Sequence, residues 1–73
     1  MDYKGAIETR EYFANGFSRL SGYGVQAVNV RERKTDVVAD IIIFDYNDNK
    51  SERYNKCIYP KTALKKILEA TRG

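Results

Sequence analysis

Residues 37–44 read Val-Val-Ala-Asp-Ile-Ile-Ile-Phe, the most apolar run in a chain of 73 residues. β-Branched and aromatic side chains fill almost every position, which is the make-up of a strand. A strand with one wet face alternates apolar and polar residues; this one does not. One face carries Val37, Ala39, Ile41 and Ile43, and the other carries Val38, Asp40, Ile42, Phe44 and then Tyr46. Both faces therefore need cover. Leaving two or three large apolar side chains in water forfeits about 1.5–3 kcal/mol each, a large part of the stability of any small domain.

The flanking sequence supplies only part of that cover. Ala6, Ile7, Phe13, Ala14, Phe17 and Leu20 recur at helical spacing and predict an amphipathic helix over about residues 4–20. Asp2 stands where an N-cap belongs, Ser21-Gly22 where a stop belongs, and Asn15-Gly16 interrupts the pattern. Val25, Ala27, Val28 and Val30 predict a first strand, with Gln26 and Asn29 as polar interruptions. Arg31 to Asp36 is a charged turn before the apolar run. Ser51 to Tyr59 predicts a third strand, Tyr54, Lys56 and Ile58 alternating with Arg53, Asn55, Cys57 and Tyr59, and Pro60 ends it. Ala63, Leu64, Ile67, Leu68 and Thr71 share one face of a closing helix, with Gly73 after it. The expected fold is α+β, in the order α-β-β-β-α: a three-stranded antiparallel meander with a helix at each end, one domain over residues 1–73. Two helices cover one sheet face; the other face, Val38, Asp40, Ile42 and Phe44, needs a second copy of the chain or another protein as cover, and a homodimer through it is expected.

A domain this small buries about 60% of the surface its unfolded chain exposes and leans on disulfides, metals or partners. The sequence has one cysteine and no histidine, which excludes an internal disulfide and the common zinc patterns. No apolar run approaches 18 residues and no charged-then-apolar leader is present, so a cytoplasmic protein without membrane association is expected. Six tyrosines agree with a partner-covered face, because tyrosine is enriched in interfaces.

Asp45-Tyr46-Asn47-Asp48-Asn49-Lys50 follows the apolar run with oxygen-bearing side chains at Asp45, Asn47 and Asn49. A calcium loop would continue with glycine at its sixth position and glutamate at its twelfth. Lys50 and Lys56 stand there instead, so the stretch reads as a hairpin turn, and no metal or cofactor is expected. Cys57 has no histidine to activate it and reads as a small core residue. Asp40, a carboxylate among apolar neighbours, should have a raised pKa unless it is paired, and Arg31 or Arg53 is the expected partner. With no histidine, thiol pair or carboxylate pair suited to acid–base chemistry, no catalytic activity is expected.

Charge is uneven along the chain. Residues 1–49 carry 6 Lys+Arg against 8 Asp+Glu, a balance of −2, while residues 50–73 carry 7 against 2, a balance of +5. The basic third favours an anionic partner surface. Candidate partner-binding residues are Tyr46, Lys50, Arg53, Tyr54, Lys56, Tyr59, Lys61, Lys65 and Lys66. The α-β-β-β-α order resembles that of double-stranded-RNA-binding domains, which implies Lys61, Lys65 and Lys66 on phosphates across the major groove. Residues 25–72 also look like the arm-binding domains of tyrosine recombinases, which set a sheet in the DNA major groove. Both likenesses are of element order: Tyr59-Pro60-Lys61-Thr62 stands where the first family has a glycine-rich lead into a lysine pair. Small chains without a catalytic set are also typical of phage and mobile-element accessory proteins that inhibit a host enzyme or a CRISPR-type defence nuclease. The sequence thus points to a non-enzymatic binding protein for an acidic protein surface, with a nucleic-acid-binding module as the alternative.

Overall fold

The computed structural model describes residues 2–17 and 22–71. Its elements are α1 (Tyr3–Ala14), β1 (Tyr23–Glu32), β2 (Asp36–Asp45), β3 (Lys50–Pro60) and α2 (Lys61–Thr71). The strands form one open antiparallel sheet in the order β1-β2-β3, so the α-β-β-β-α meander expected from the sequence is the fold.

α1 begins where Asp2 accepts the Gly5 backbone N–H at 3.0 Å, an N-cap contact. It ends at Ala14, earlier than the apolar spacing predicts. Asn15 closes it, both its backbone N–H (3.1 Å) and its side-chain amide (2.8 Å) bonding the Glu11 carbonyl. Gly16 then takes φ 74, a left-handed turn that glycine enters without a Cβ clash. The expected helix residues Arg19 and Leu20, the stop at Ser21 and the closing Gly73 lie outside the described residues.

Both helices pack on the same sheet face. Ala6 and Ile7 of α1 and Leu64 of α2 meet Ala27, Val37, Ala39, Ile41 and Tyr59. Ile67 and Leu68 of α2 pack against this core from its margin. The apolar spacing of the closing helix thus turns Leu64, Ile67 and Leu68 toward the core, with Leu64 fully buried. The Cα atoms span 38 × 29 × 15 Å, room for one sheet and one layer of helices about 10–12 Å across. Among the described residues no element lies over the other sheet face.

The Asp45–Lys50 pair closes the hairpin between β2 and β3. The Asp45 carboxylate accepts the backbone N–H groups of Asn47 (3.1 Å) and Asp48 (3.3 Å), and Asn49 takes φ 53. These oxygens serve the turn itself, as Asx side chains do. The β1–β2 turn is held by a two-point ion pair between Arg33 and Asp36, at 2.5 and 2.7 Å.

Strict alternation fails in both outer strands. The β1 register slips between Val28 and Arg31, and the β3 register slips where Ala39 pairs with Cys57 and Ile41 with Tyr54. Each slip is a β-bulge, in which an extra residue reverses the in–out parity beyond it. Asn29 (φ 52) and Lys56 (φ 56) are the left-handed residues of the two bulges. Arg53 therefore shares the uncovered face with Ile58, while Tyr54, Cys57 and Tyr59 face the helices. Simple alternation groups Arg53 with Cys57 and Tyr59; the β3 bulge separates them.

Candidate binding face

The uncovered face is built around Asp40. This carboxylate is 7% exposed and lies on the central strand, beside the bulge of each neighbour. It accepts the Asn29 side-chain amide at 2.9 Å, the Lys56 backbone N–H at 3.0 Å and the Arg53 guanidinium at 2.9 Å. Arg31 stands 3.9 Å away. The Asn29 amide, followed by the Lys56 N–H and Arg53, holds the Asp40 carboxyl down to about 2, against the upward push of burial. The ion pair expected with Arg31 or Arg53 forms with both, Arg53 being the closer. One buried carboxylate thus pins two bulges.

That pinning holds a strained residue. An L-residue in the left-handed region costs about 1–2 kcal/mol, less for asparagine, which tolerates it. Asn29 fits the exception and Lys56 does not. The Lys56 backbone N–H serves Asp40, but its ammonium makes no hydrogen bond or ion pair among the described residues. Beside it, Arg31, Arg33, Val38 and Ile58 complete a hollow of about 220 Å³.

Apart from Gln26 and Ser51, the rest of the face is apolar. Val38 pairs with Ile58, which is 59% exposed, Val28 lies opposite Asp40, and Ile42 sits on the far side of Asp40 between Gln26 and Arg53. At the hairpin end Phe44 and Tyr46 stack with centroids 5.8 Å apart and planes 6° from parallel. Tyr46 lies over Gly24, where a Cβ would come within 3.0 Å of the tyrosine hydroxyl. Tyr46 is nevertheless 66% exposed.

The residues expected to contact a partner are dispersed by the fold. Tyr46, Arg53 and Lys56 lie on or beside the uncovered face, with Lys50 at the start of the adjoining edge strand. Tyr54 faces the helix side, its hydroxyl donating to Glu52 at 2.5 Å. Tyr59 is not a surface residue: it is 4% exposed and its hydroxyl donates to Glu11 at 2.7 Å. Burial, then that bond to a carboxylate, raises its pKa above the usual tyrosine value. Lys61 is half-buried, paired with Glu32 at 3.0 Å and over the Tyr3 ring. Lys65 and Lys66 are exposed on α2, in the helix layer on the other side of the sheet. The basic third of the chain is therefore not one patch in space. Val38, Asp40, Ile42 and Phe44 do share the uncovered face, as expected, and it gains Arg31 and Arg33, which sequence reading placed in a charged turn. Arg31 was expected beside Asp40 as an ion-pair partner, and the β1 bulge is what sets it opposite Val38 on this face.

A second cleft of about 360 Å³ opens on the helix side, lined by Glu11, Asn15, Ile41, Ile43, Tyr54 and Cys57. The Cys57 thiol donates to the Tyr54 carbonyl at 3.7 Å. Among the described residues no three metal-ligating side chains cluster, and no helix is long and apolar enough to cross a membrane. No protein-family model, curated protein or solved structure matches the chain.

Proposed function

We propose that this protein is a non-catalytic binding module that docks onto an acidic surface of another protein through its uncovered sheet face. One observation carries the reading: both helices cover one face, leaving on the other an aliphatic–aromatic strip framed by Arg31, Arg53 and Lys56. Apolar anchors with tyrosine and arginine are the make-up of interface hot spots. The cations steer an acidic partner and fix its orientation. Occluding such a surface is also how a chain of this size would act as an inhibitor.

A second copy is a poorer occupant of the same face. Arg31, Arg53 and Lys56 would approach their own images, and the carboxylates beside these cations and beside Arg33, namely Asp40 and Asp36, are already engaged. Nucleic acid is favoured by one feature, the exposed Phe44–Tyr46 stack beside cations. Against it stand Val28, Ile42 and Ile58, aliphatic side chains that have no use for phosphates.

The test is affinity capture from a host lysate with the wild type and three surface variants. Ile58→Glu and Tyr46→Ala should lose a protein that the wild type retains, and Lys65→Glu should retain it. In parallel, labelled duplex and single-stranded oligonucleotides are titrated at about 50 mM salt. Saturable oligonucleotide binding, with log affinity falling linearly in log salt, would replace the protein reading with the nucleic-acid one.

A further inference from the structure

We propose that the hollow between Arg31, Arg33 and Lys56 is a binding site for a carboxylate side chain of the protein partner, seated beside an apolar side chain on the same partner segment. The inference rests on the protein-binding reading above and narrows it to a chemistry and a place.

Two independent observations carry it. The first is the hollow itself. Its floor is Val38 and Ile58, its rim is three cations, and its volume of about 220 Å³ is below that of a drug-sized pocket, suited to a side chain or two. Arg33 is committed to Asp36 through two hydrogen bonds. Arg31 bonds the Asn29 carbonyl through Nε and stands 3.9 Å from Asp40, leaving guanidinium donors unspent. Lys56 contributes a whole ammonium. An incoming carboxylate would receive charge-assisted bonds from Arg31 and Lys56, and an apolar neighbour would cover Val38 and Ile58. A phosphodiester would satisfy the cations and leave that floor wet.

The second observation is the backbone of Lys56. At φ 56 glycine is the unstrained residue, and the fold uses only the backbone N–H there, which glycine also has. What lysine adds is a side chain with no hydrogen bond or ion pair among the described residues, placed at the hollow. Strain kept at such a position points from the outlier to a function.

The experiment follows backbone amide shifts of the 15N-labelled protein during titration with three probes. These are an acetylated, amidated Val-Glu-Leu-Glu-Val peptide, its Val-Gln-Leu-Gln-Val counterpart, and a deoxythymidine oligomer. The Glu peptide should shift the amides of Arg31, Val38, Lys56 and Ile58 saturably, and the Gln peptide should bind several-fold more weakly. In Lys56→Gly the shifts should be lost while the denaturant midpoint stays at or above that of the wild type. That pairing separates loss of a ligand group from loss of fold. Equal binding of the Glu and Gln peptides, or undiminished binding by Lys56→Gly, would overturn the site. Stronger shifts of the same amides by the oligomer would assign it to phosphate instead. If the lysate partner is still lost with Tyr46→Ala while these amides ignore the Glu peptide, the site fails and the protein-binding reading stands.

Discussion

Asp40 does at the scale of one residue what no hydrophobic contact can do: it fixes the path of two neighbouring strands at once. Its folded pKa of about 2 lies below the ordinary carboxylate value near 3.9. Depression of this kind stabilises the fold fully above the unfolded value and is lost as pH falls from about 4 toward 2. Asp40→Asn should therefore lower the melting temperature at pH 7, and the gap from the wild type should narrow steadily in scans between pH 4 and pH 2. A constant gap across that range would mean that shape, not charge, pins the bulges. Lys56→Gly acts in the opposite sense. Relief of about 1–2 kcal/mol of left-handed strain, less about 0.5–1 kcal/mol for glycine's freer unfolded state, leaves a gain of about 0–1.5 kcal/mol. Urea unfolding should show an unchanged slope and a midpoint at or above the wild type.

At the scale of elements, α2 shows how a helix of high surface charge is held. Leu64 is fully buried among Val37, Ala39 and Tyr59, and the Lys61 backbone N–H bonds the Thr35 carbonyl at 3.1 Å. Leu64→Ala should cost about 2–5 kcal/mol, a fall in melting temperature of about 10 °C or more, measurable by circular dichroism. Lys65→Glu on the exposed side of the same helix should change it little. The helical spacing of Leu64, Ile67 and Leu68 makes this element legible from the sequence alone. β3 is legible there as a strand but not in its facing. Nothing in Arg53-Tyr54-Asn55-Lys56-Cys57 marks a bulge, because lysine is not a residue that seeks a left-handed backbone. The bulge exists because Asp40 on the adjoining strand captures the Lys56 N–H, a contact between residues 16 apart in sequence.

At the scale of the molecule, the protein is a sheet with one dressed side. A face with a net excess of arginine and lysine discourages self-association, so sedimentation at micromolar concentration should return a species of 8.4 kDa. A dimer that Ile58→Glu dissociates would instead make a second copy the occupant of the face. Raising salt should slow association with an acidic partner far more than it speeds release, because the cations at the rim act mainly on the encounter.

The sequence by itself determined the fold order, the buried face of α2, the hairpin at Asp45–Lys50 and the presence of a strand apolar on both sides. Each follows from local pattern: the 3.6-residue period, the two-residue period, and turn residues that bond their own backbone. In α1 the expected stripe fails at Phe13 and Ala14, which are exposed. Tertiary structure alone decided which cations share a surface. It divided the basic third of the chain between two sides of the sheet, buried Tyr59, engaged Lys61, and brought Arg31 and Arg33 beside Lys56. The physical reason is the pair of bulges, since one extra residue reverses a strand's facing. Here that extra residue is held by a carboxylate on a different strand.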